Sequence, residues 1–377
     1  MSLRMIRDVL ANRDIETHCP LCGRPFARVE SSEEHIFPKW LQRHHNLWTR
    51  RLTIPNFLGK SYKSVKIRAC AICNNIRYGK RETVLARLLH SADSYAECAA
   101  ITDDALAIWL GKITWLLCRK SHSVEDFRTR NQPHMDRIIP HEVIPGTLYL
   151  GMIQRAFATK KGMLSCYVDD PFDPNLFVRP HSFYRFHIDT RDNKFETFDF
   201  VDNVGVLGAA IRSNNIGLVC VFDGGLHKRF RAQRFNFLND ELLHPMQFNE
   251  VVAKIFYDQT VLDERACKVT YFWNVQLRSV IAMHHAPRFY NPYLQVNDDP
   301  KRFAAFLGQY TFSDPDTIIS GDGSQVFTSL QDHNGAFLRY AVTDEEIEAA
   351  RRDSNQVVRG PLNAAWRQTP LAENRKR

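Results

Sequence analysis

The sequence of 377 residues lacks several signatures that would assign a function directly. It contains no P-loop, no dinucleotide-binding fingerprint and no internal repeat, which argues against the nucleotide-binding folds and the repeat architectures that carry them. No apolar run is long enough to span a membrane. Residues 1–12 mix charged with apolar side chains, which predicts a short amphipathic helix and not a secretion signal. We therefore expect a cytoplasmic protein without a membrane partner, whose thiols stay reduced.

One stretch of the sequence also lacks acidic residues. From His35 to Arg81 there is no Asp or Glu, but there are eleven basic residues, whereas the whole chain nets only +8. Such a concentration of positive charge is typical of a surface that binds the phosphates of nucleic acid. A solvated basic face without a partner is the alternative. DNA is the favoured partner, and the predicted nucleic-acid contacts are Lys39, Arg43, Arg68, Arg77, Lys80 and Arg81.

Histidines and aromatic residues lie among these charges. His44 and His45 follow Trp40 on what the pattern predicts to be a short helix, and we expect both histidines to be surface residues. The aromatic residues of this stretch can stack on bases, but packing in a small core is the favoured role.

The nine cysteines are unevenly arranged. Four of them form two Cys-x-x-Cys pairs, Cys19/Cys22 and Cys70/Cys73, and the others occur singly. Each pair can supply two thiolates from one tight turn, and two such turns can converge on one tetrahedral zinc ion. Because thiolates select zinc over magnesium or calcium, the predicted zinc is structural. Two unrelated reduced pairs, or disulfides, are the alternative.

A short motif lies between the two cysteine pairs. It reads Glu34-His35-Ile36-Phe37-Pro38, and Asn74 directly follows the last cysteine. An acid, a histidine, an aliphatic residue and x-Pro inside a split four-cysteine knuckle resemble the HNH endonucleases, also called ββα-metal nucleases. The resemblance covers about residues 19–90 and is closest to the phage junction-resolving branch. It implies two short strands and then a helix that starts at the second cysteine pair, in a treble-clef-like arrangement.

The resemblance also implies a catalytic site. His35 matches the general base of the family, Glu34 the first ligand of a catalytic Mg²⁺ or Mn²⁺, and Asn74 the second ligand. Glu34 stands where Asp is commoner, and residues 63–68 hold no counterpart of the central Asn of the family. The chemistry is coherent in itself, since a carboxylate and an amide oxygen suit magnesium and a neutral histidine can deprotonate water near neutral pH. Because adjacent residues on a regular strand face opposite sides, we expect Glu34 and His35 at the end of a strand.

The remaining sequence predicts a larger α+β unit. An apolar stretch predicts a buried helix over 103–120, and a Thr-capped helix is predicted over 342–352. Alternating or continuous apolar patterns predict strands at 184–188, 195–201, 216–222 and, as one strand or two, 269–283.

We therefore predict a chain of α+β class in three parts. Residues 14–95 form a zinc-pinned HNH-like nuclease module, residues 100–360 form an α+β domain with a mainly antiparallel sheet, and residues 361–377 form a flexible basic tail. The expected function is metal-dependent endonuclease cleavage of DNA, in a restriction or phage-defence setting. Two alternatives stay open: a non-catalytic zinc module that binds DNA or RNA, and an effector whose larger domain senses a ligand and releases the nuclease.

Overall fold

The structure is mixed α+β, with mainly antiparallel sheets. A computed structural model describes residues 15–52, 60–121, 145–167, 179–192, 195–203, 205–262, 269–284, 293, 299–311, 313–332 and 334–339. The predicted helices at 1–12 and 342–352 and the predicted basic tail lie outside these described residues.

The N-terminal part contains a two-stranded antiparallel unit. Strand β1 (Ser31–His35) pairs with β2 (Lys66–Cys70), and the second cysteine pair begins at the last residue of β2. Glu34 and His35 are the last two residues of β1, so the prediction that they lie at a strand end is confirmed. The order of two strands and a helix agrees with the predicted arrangement, and its assignment as an HNH module stays a prediction.

Short helices surround this pair of strands. Helix α1 (Lys39–His44) begins directly after Pro38. After β2 the chain forms a π-helical segment (Ile72–Tyr78) that continues as α2 (Gly79–Leu89), and α3 (Ser94–Cys98) follows. π-Helical turns are rare and occur often at functional sites, and this one carries Cys73 and Asn74.

The larger part of the chain supplies two further sheets and the helices that cover them. Helix α4 (Asp103–Ser121) is long and buried, as predicted for 103–120, and α5 (Pro145–Ala158) packs beside it. None of the described helices combines the length and the apolar character needed to cross a membrane. In chain order the elements are α4 (Asp103–Ser121), α5 (Pro145–Ala158), β3 (Gly162–Tyr167), β4 (Ser182–Ile188), β5 (Phe198–Asn203), β6 (Gly208–Ser213), β7 (Ile216–Val221), α6 (Leu226–Phe230), β8 (Leu242–Leu243), α7 (Pro245–Thr260), β9 (Val269–Asn274), β10 (Ser279–His284) and α8 (Pro300–Thr311).

The larger sheet has five strands in the order β5-β6-β7-β4-β8. Its pairs are antiparallel except β4 with β8, which confirms the predicted mainly antiparallel character. Helix α4 contacts β6 and β7, and α7 also contacts β7. Because helices cover both faces, every residue of β6 and β7 is buried, which explains the continuous apolar run in β7.

A second sheet has three strands in the order β3-β10-β9. Strand β10 lies between β3, to which it is parallel, and β9, to which it is antiparallel. The apolar stretch predicted as one strand or two over 269–283 is therefore a pair of strands joined by a tight turn.

A single hydrophobic cluster runs through both parts of the chain. It contains Phe37 after β1, Trp109 of α4, and Phe200 of β5, and the rings of Phe37 and Phe200 meet edge to face at 5.0 Å. A second cluster lies on the opposite face of the five-stranded sheet, under α7 and α8. The predicted boundary between 14–95 and 100–360 therefore does not coincide with a gap in the core.

Candidate functional site

The two cysteine pairs meet beside the β1–β2 unit. Cys19, Cys22, Cys70 and Cys73 are all buried, and their four Sγ atoms lie within 4.8 Å of one another. The Sγ atoms of Cys22 and Cys70 are 3.6 Å apart. Zinc–sulfur bonds of about 2.3 Å in a tetrahedron place sulfurs about 3.8 Å apart. The four thiols, none of them in a disulfide, therefore fit a structural zinc ion.

Local backbone geometry builds the first of these turns. The Gly23 N–H donates to the Cys19 carbonyl at 2.8 Å, and Gly23 has φ +68°, a conformation that favours glycine. The Cys70 N–H points at the Cys19 sulfur at 3.4 Å, which joins the two turns. The Trp115 indole of α4 donates to the Pro20 carbonyl at 2.9 Å, so the larger part of the chain also holds this turn.

Crowding changes the protonation of the thiols. A hydrogen bond from Cys19 lowers the pKa of Cys22 to about 7 and holds the pKa of Cys70 well below its usual range. Zinc binds the thiolate form. Hydrogen bonds within the cluster raise the pKa of Cys19 and of Cys73, so a metal ion would have to displace the protons that these two thiols keep.

Glu34 lies buried between β1 and α4. Its carboxylate bonds to the ammonium of Lys112, which also donates to Glu82 of α2 at 2.6 Å. The Lys112 side chain is fully buried, and its ammonium lies 5.2 Å from the centre of the Tyr78 ring. Burial raises the pKa of Glu34, and although burial opposes a charge on Lys112, the carboxylates of Glu82 and Glu34 raise the pKa of Lys112. Lys112 is therefore a buried cation.

This arrangement does not fit a divalent cation bound to Glu34. A magnesium ion sits about 2.1 Å from a carboxylate oxygen, which would bring it close to the Lys112 ammonium in a buried setting. Like charges repel strongly there. The predicted role of Glu34 as an open metal ligand thus disagrees with the described geometry, and the reason is a lysine 78 residues away in the chain.

His35 is the last residue of β1 and is 9% exposed. Its ring stacks on Trp48, with the centroids 5.7 Å apart and the planes 21° from parallel. Burial lowers the pKa of His35, and the positive charges of Lys39 and Lys66 lower it further. The imidazole is therefore neutral at pH 7, which is the protonation state that a general base requires.

Asn74 lies in the π-helical segment and faces β1. Its amide donates to Ser32 Oγ at 3.0 Å and reaches the Glu33 carbonyl at 3.5 Å. The Gly79 N–H bonds to the Asn74 carbonyl, and a Cβ at Gly79 would lie only 3.0 Å from that oxygen. The fold thus brings Asn74 to the strand that carries Glu34 and His35. The Asn74 amide bonds to Ser32 and Glu33 of that strand, however, and not to Glu34 or His35 themselves.

Most of the predicted nucleic-acid contacts are exposed, but Arg81 is not. The Arg81 guanidinium donates to the Ala105 carbonyl at 3.0 Å and lies 4.3 Å over the Phe157 ring. Arg81 therefore holds α4 and α5 against α2, and its predicted contact with nucleic acid is not supported. Arg77 is half-buried. The four exposed residues are Lys39, Arg43, Arg68 and Lys80.

A concavity of about 340 Å³ lies beside the β1–β2 unit. Lys66, Arg68 and Lys120 line it together with Ser32, the hydrogen-bond partner of Asn74. The sequence reasoning missed Lys120, because it lies at the end of α4 and outside the acid-free stretch. Glu16 and Glu33 line it as well, and Lys66 pairs with Glu33 at 2.9 Å, so Arg68 and Lys120 are the cations that can meet a phosphate there.

His45 is buried, which contradicts its predicted place on the surface. Its Nε2 lies 2.9 Å from Ser213 Oγ and its Nδ1 3.3 Å from Thr197 Oγ1, so it joins α1 to the five-stranded sheet. Burial lowers the pKa of His45 to about 3. His44 is exposed, as predicted, and stacks on His90 with 4.1 Å between centroids.

A second concavity, of about 530 Å³, lies in the larger part of the chain. Phe237, Tyr257 and Phe303 form its aromatic walls. Asp258 also lines it and bonds to the buried His227 at 3.1 Å. Its volume falls in the range of small-molecule sites. A ligand sensed by the larger part of the chain would find a pocket here.

Comparison with family models, with curated proteins and with solved structures finds no match for this chain. Similarity therefore shows no family, and the function has to follow from the residues and their geometry.

Proposed function

We propose that this chain is a zinc-stabilised endonuclease of the HNH type that hydrolyses phosphodiester bonds in DNA. The observation that supports it is the arrangement around the four-cysteine cluster. Strand β1 ends at a neutral His35, and the helix that leaves the second cysteine pair brings Asn74 against the same strand. A hollow on the β1–β2 unit is lined by Lys66, Arg68 and Lys120, and by the carboxylates of Glu16 and Glu33.

In this proposal His35 is the general base. Its neutral imidazole accepts a proton from a water molecule as the water oxygen attacks phosphorus, the bond to the leaving oxygen breaks, and solvent protonates that oxygen. Lys66 lies opposite His35 in the strand pair and can neutralise the phosphoryl oxygens. The zinc ion holds the fold and takes no part in the reaction. A dependence on Mg²⁺ or Mn²⁺ is implied by the resemblance alone, since Glu34 is bound to Lys112.

The test is cleavage of supercoiled plasmid by the purified full chain in magnesium, manganese or EDTA. We expect nicked or linear DNA, and His35→Ala should lower the rate by about 10² to 10⁴ while DNA affinity changes by only a few fold. His44→Ala removes an exposed histidine of α1 and is the matched control, expected to cut normally. Equal cutting by His35→Ala would remove this residue from the mechanism. Parallel assays with RNA would decide the substrate, and plating of phage on expressing cells would test a role in defence.

A non-catalytic zinc module that binds DNA or RNA is the second candidate. The contact between Glu34 and Lys112 favours it, because the carboxylate predicted to hold a catalytic ion is already neutralised. In that case the chain would bind nucleic acid with a salt dependence set by its exposed basic residues, and no metal ion would produce cleavage.

A further inference from the structure

Lys112 lies outside the HNH-like motif, yet its ammonium bonds to Glu34, the predicted metal ligand of that motif. Helix α4 carries it, and its ammonium joins Glu34 of β1 to Glu82 of α2. The side chain is completely buried, whereas most lysines in proteins keep their ammonium in water. Three elements of the fold therefore converge on one buried positive charge.

The position of this ammonium is that of a bound cation. One oxygen from each of two carboxylates points at Lys112 Nζ, with 2.6 Å to Glu82 and a shorter contact to Glu34. Carboxylate oxygens surround calcium at about 2.3 to 2.6 Å and magnesium at about 2.1 Å. Two carboxylates with the ammonium removed would thus lie near the distances that a divalent cation requires.

Stability alone is a weak explanation for such a cluster. Burying charged groups costs several kcal/mol per ion, and apolar side chains of similar volume are often as good or better in the same place. The cluster also lies where the resemblance predicts a metal ligand, and not elsewhere in the core.

We infer that Lys112 is a tethered competitor that keeps divalent cations from Glu34. The inference rests on the proposed function in that Glu34 is the predicted metal ligand. A divalent ion at Glu34 must displace the ammonium from between the two carboxylates, so any ion at this position binds weakly to the chain as described.

The experiment measures Mn²⁺ binding to the zinc-loaded full chain without nucleic acid, by calorimetry and by the electron paramagnetic resonance signal of free Mn²⁺. Lys112→Met keeps the apolar stem and removes the ammonium. We expect it to raise Mn²⁺ affinity at least about tenfold, because a repelling buried charge is lost. Adding Glu34→Gln should abolish the gain. Lys254→Met, which removes a half-buried ammonium from Glu250 in the larger part of the chain, is the control and should leave the affinity unchanged.

Equal Mn²⁺ affinity in the natural chain and a folded Lys112→Met variant would overturn the inference. If Lys112→Met does not fold, as judged by circular dichroism, Lys112→Gln takes its place with the same expected direction, because its amide can still donate to both carboxylates. The natural chain supplies a further test, since Glu34→Gln alone should not weaken its Mn²⁺ binding, and a clear loss would show that Glu34 already holds the ion.

The outcome is separable from that of the proposed function. An affinity gain that depends on Glu34, in a chain that cuts no nucleic acid, would support the competitor and reject the nuclease. If the natural chain cleaves DNA but Lys112→Met does not change the Mn²⁺ affinity, the nuclease proposal is supported and the competitor role of Lys112 is rejected.

Discussion

Acidification should destabilise this protein through His45, a buried histidine that takes no part in the zinc cluster. The imidazole is 9% exposed and lies between Ser213, the last residue of β6, and Thr197, the residue before β5. Burial lowers its pKa to about 3, against an ordinary value of 6.5 in the unfolded chain. Because the unfolded state then binds the proton more readily, the stability that neutral His45 contributes is present above pH 6.5 and is lost as the pH falls towards 3.

The magnitude follows from the size of the shift. Each pH unit below the unfolded pKa costs about 1.4 kcal/mol, as long as the folded state stays unprotonated at this site. Between neutral pH and about pH 4.5, His45 should therefore cost about 2 to 3 kcal/mol of unfolding free energy. That is a large share of the roughly 5 to 15 kcal/mol typical of folded domains.

The assay is urea denaturation of the natural chain and of His45→Asn at neutral pH and near pH 4.5. Asparagine does not titrate, so the stability advantage of the natural chain over the variant should shrink by about 2 to 3 kcal/mol on acidification. Zinc sites also weaken in acid, but they do so in both proteins, and the difference isolates His45. An advantage that does not change with pH would refute the reasoning.

Three further predictions concern the zinc cluster, the buried ion pair and the basic surface. Elemental analysis should find one zinc per chain, and Cys70→Ser should release it and lower the unfolding midpoint; a zinc-free natural chain of full stability would contradict this. Glu34→Gln should cost about 3 to 5 kcal/mol in denaturation, because it strips one partner from a buried ammonium, whereas Glu33→Gln on the exposed side of the same strand should leave the unfolding free energy nearly unchanged. In DNA binding titrated with salt, Arg68→Ala should reduce the slope of affinity against salt by about 1, whereas Arg81→Ala should lower stability and leave that slope unchanged.

Features that depend on residues close together in the chain could be predicted from the sequence. The spacing of each cysteine pair determines a turn that can offer two sulfurs, and both turns were found where the spacing placed them. The apolar pattern of 103–120 identified α4, and the alternation at 184–188 identified β4, since each pattern repeats with the period of its own element. The end of β1 at His35 followed from Pro38 for the same local reason.

Only the tertiary structure decided which charges these residues meet. Lys112 reads in the sequence as one lysine on an apolar helix, and it becomes the partner of Glu34 because α4 packs across the β1–β2 unit. His45 reads as a neighbour of the exposed His44, yet the five-stranded sheet covers it. Such contacts join residues that are tens to more than a hundred positions apart, and a single sequence carries no local pattern that pairs them. The sequence could therefore name the candidate site, while packing determined that a buried lysine occupies it.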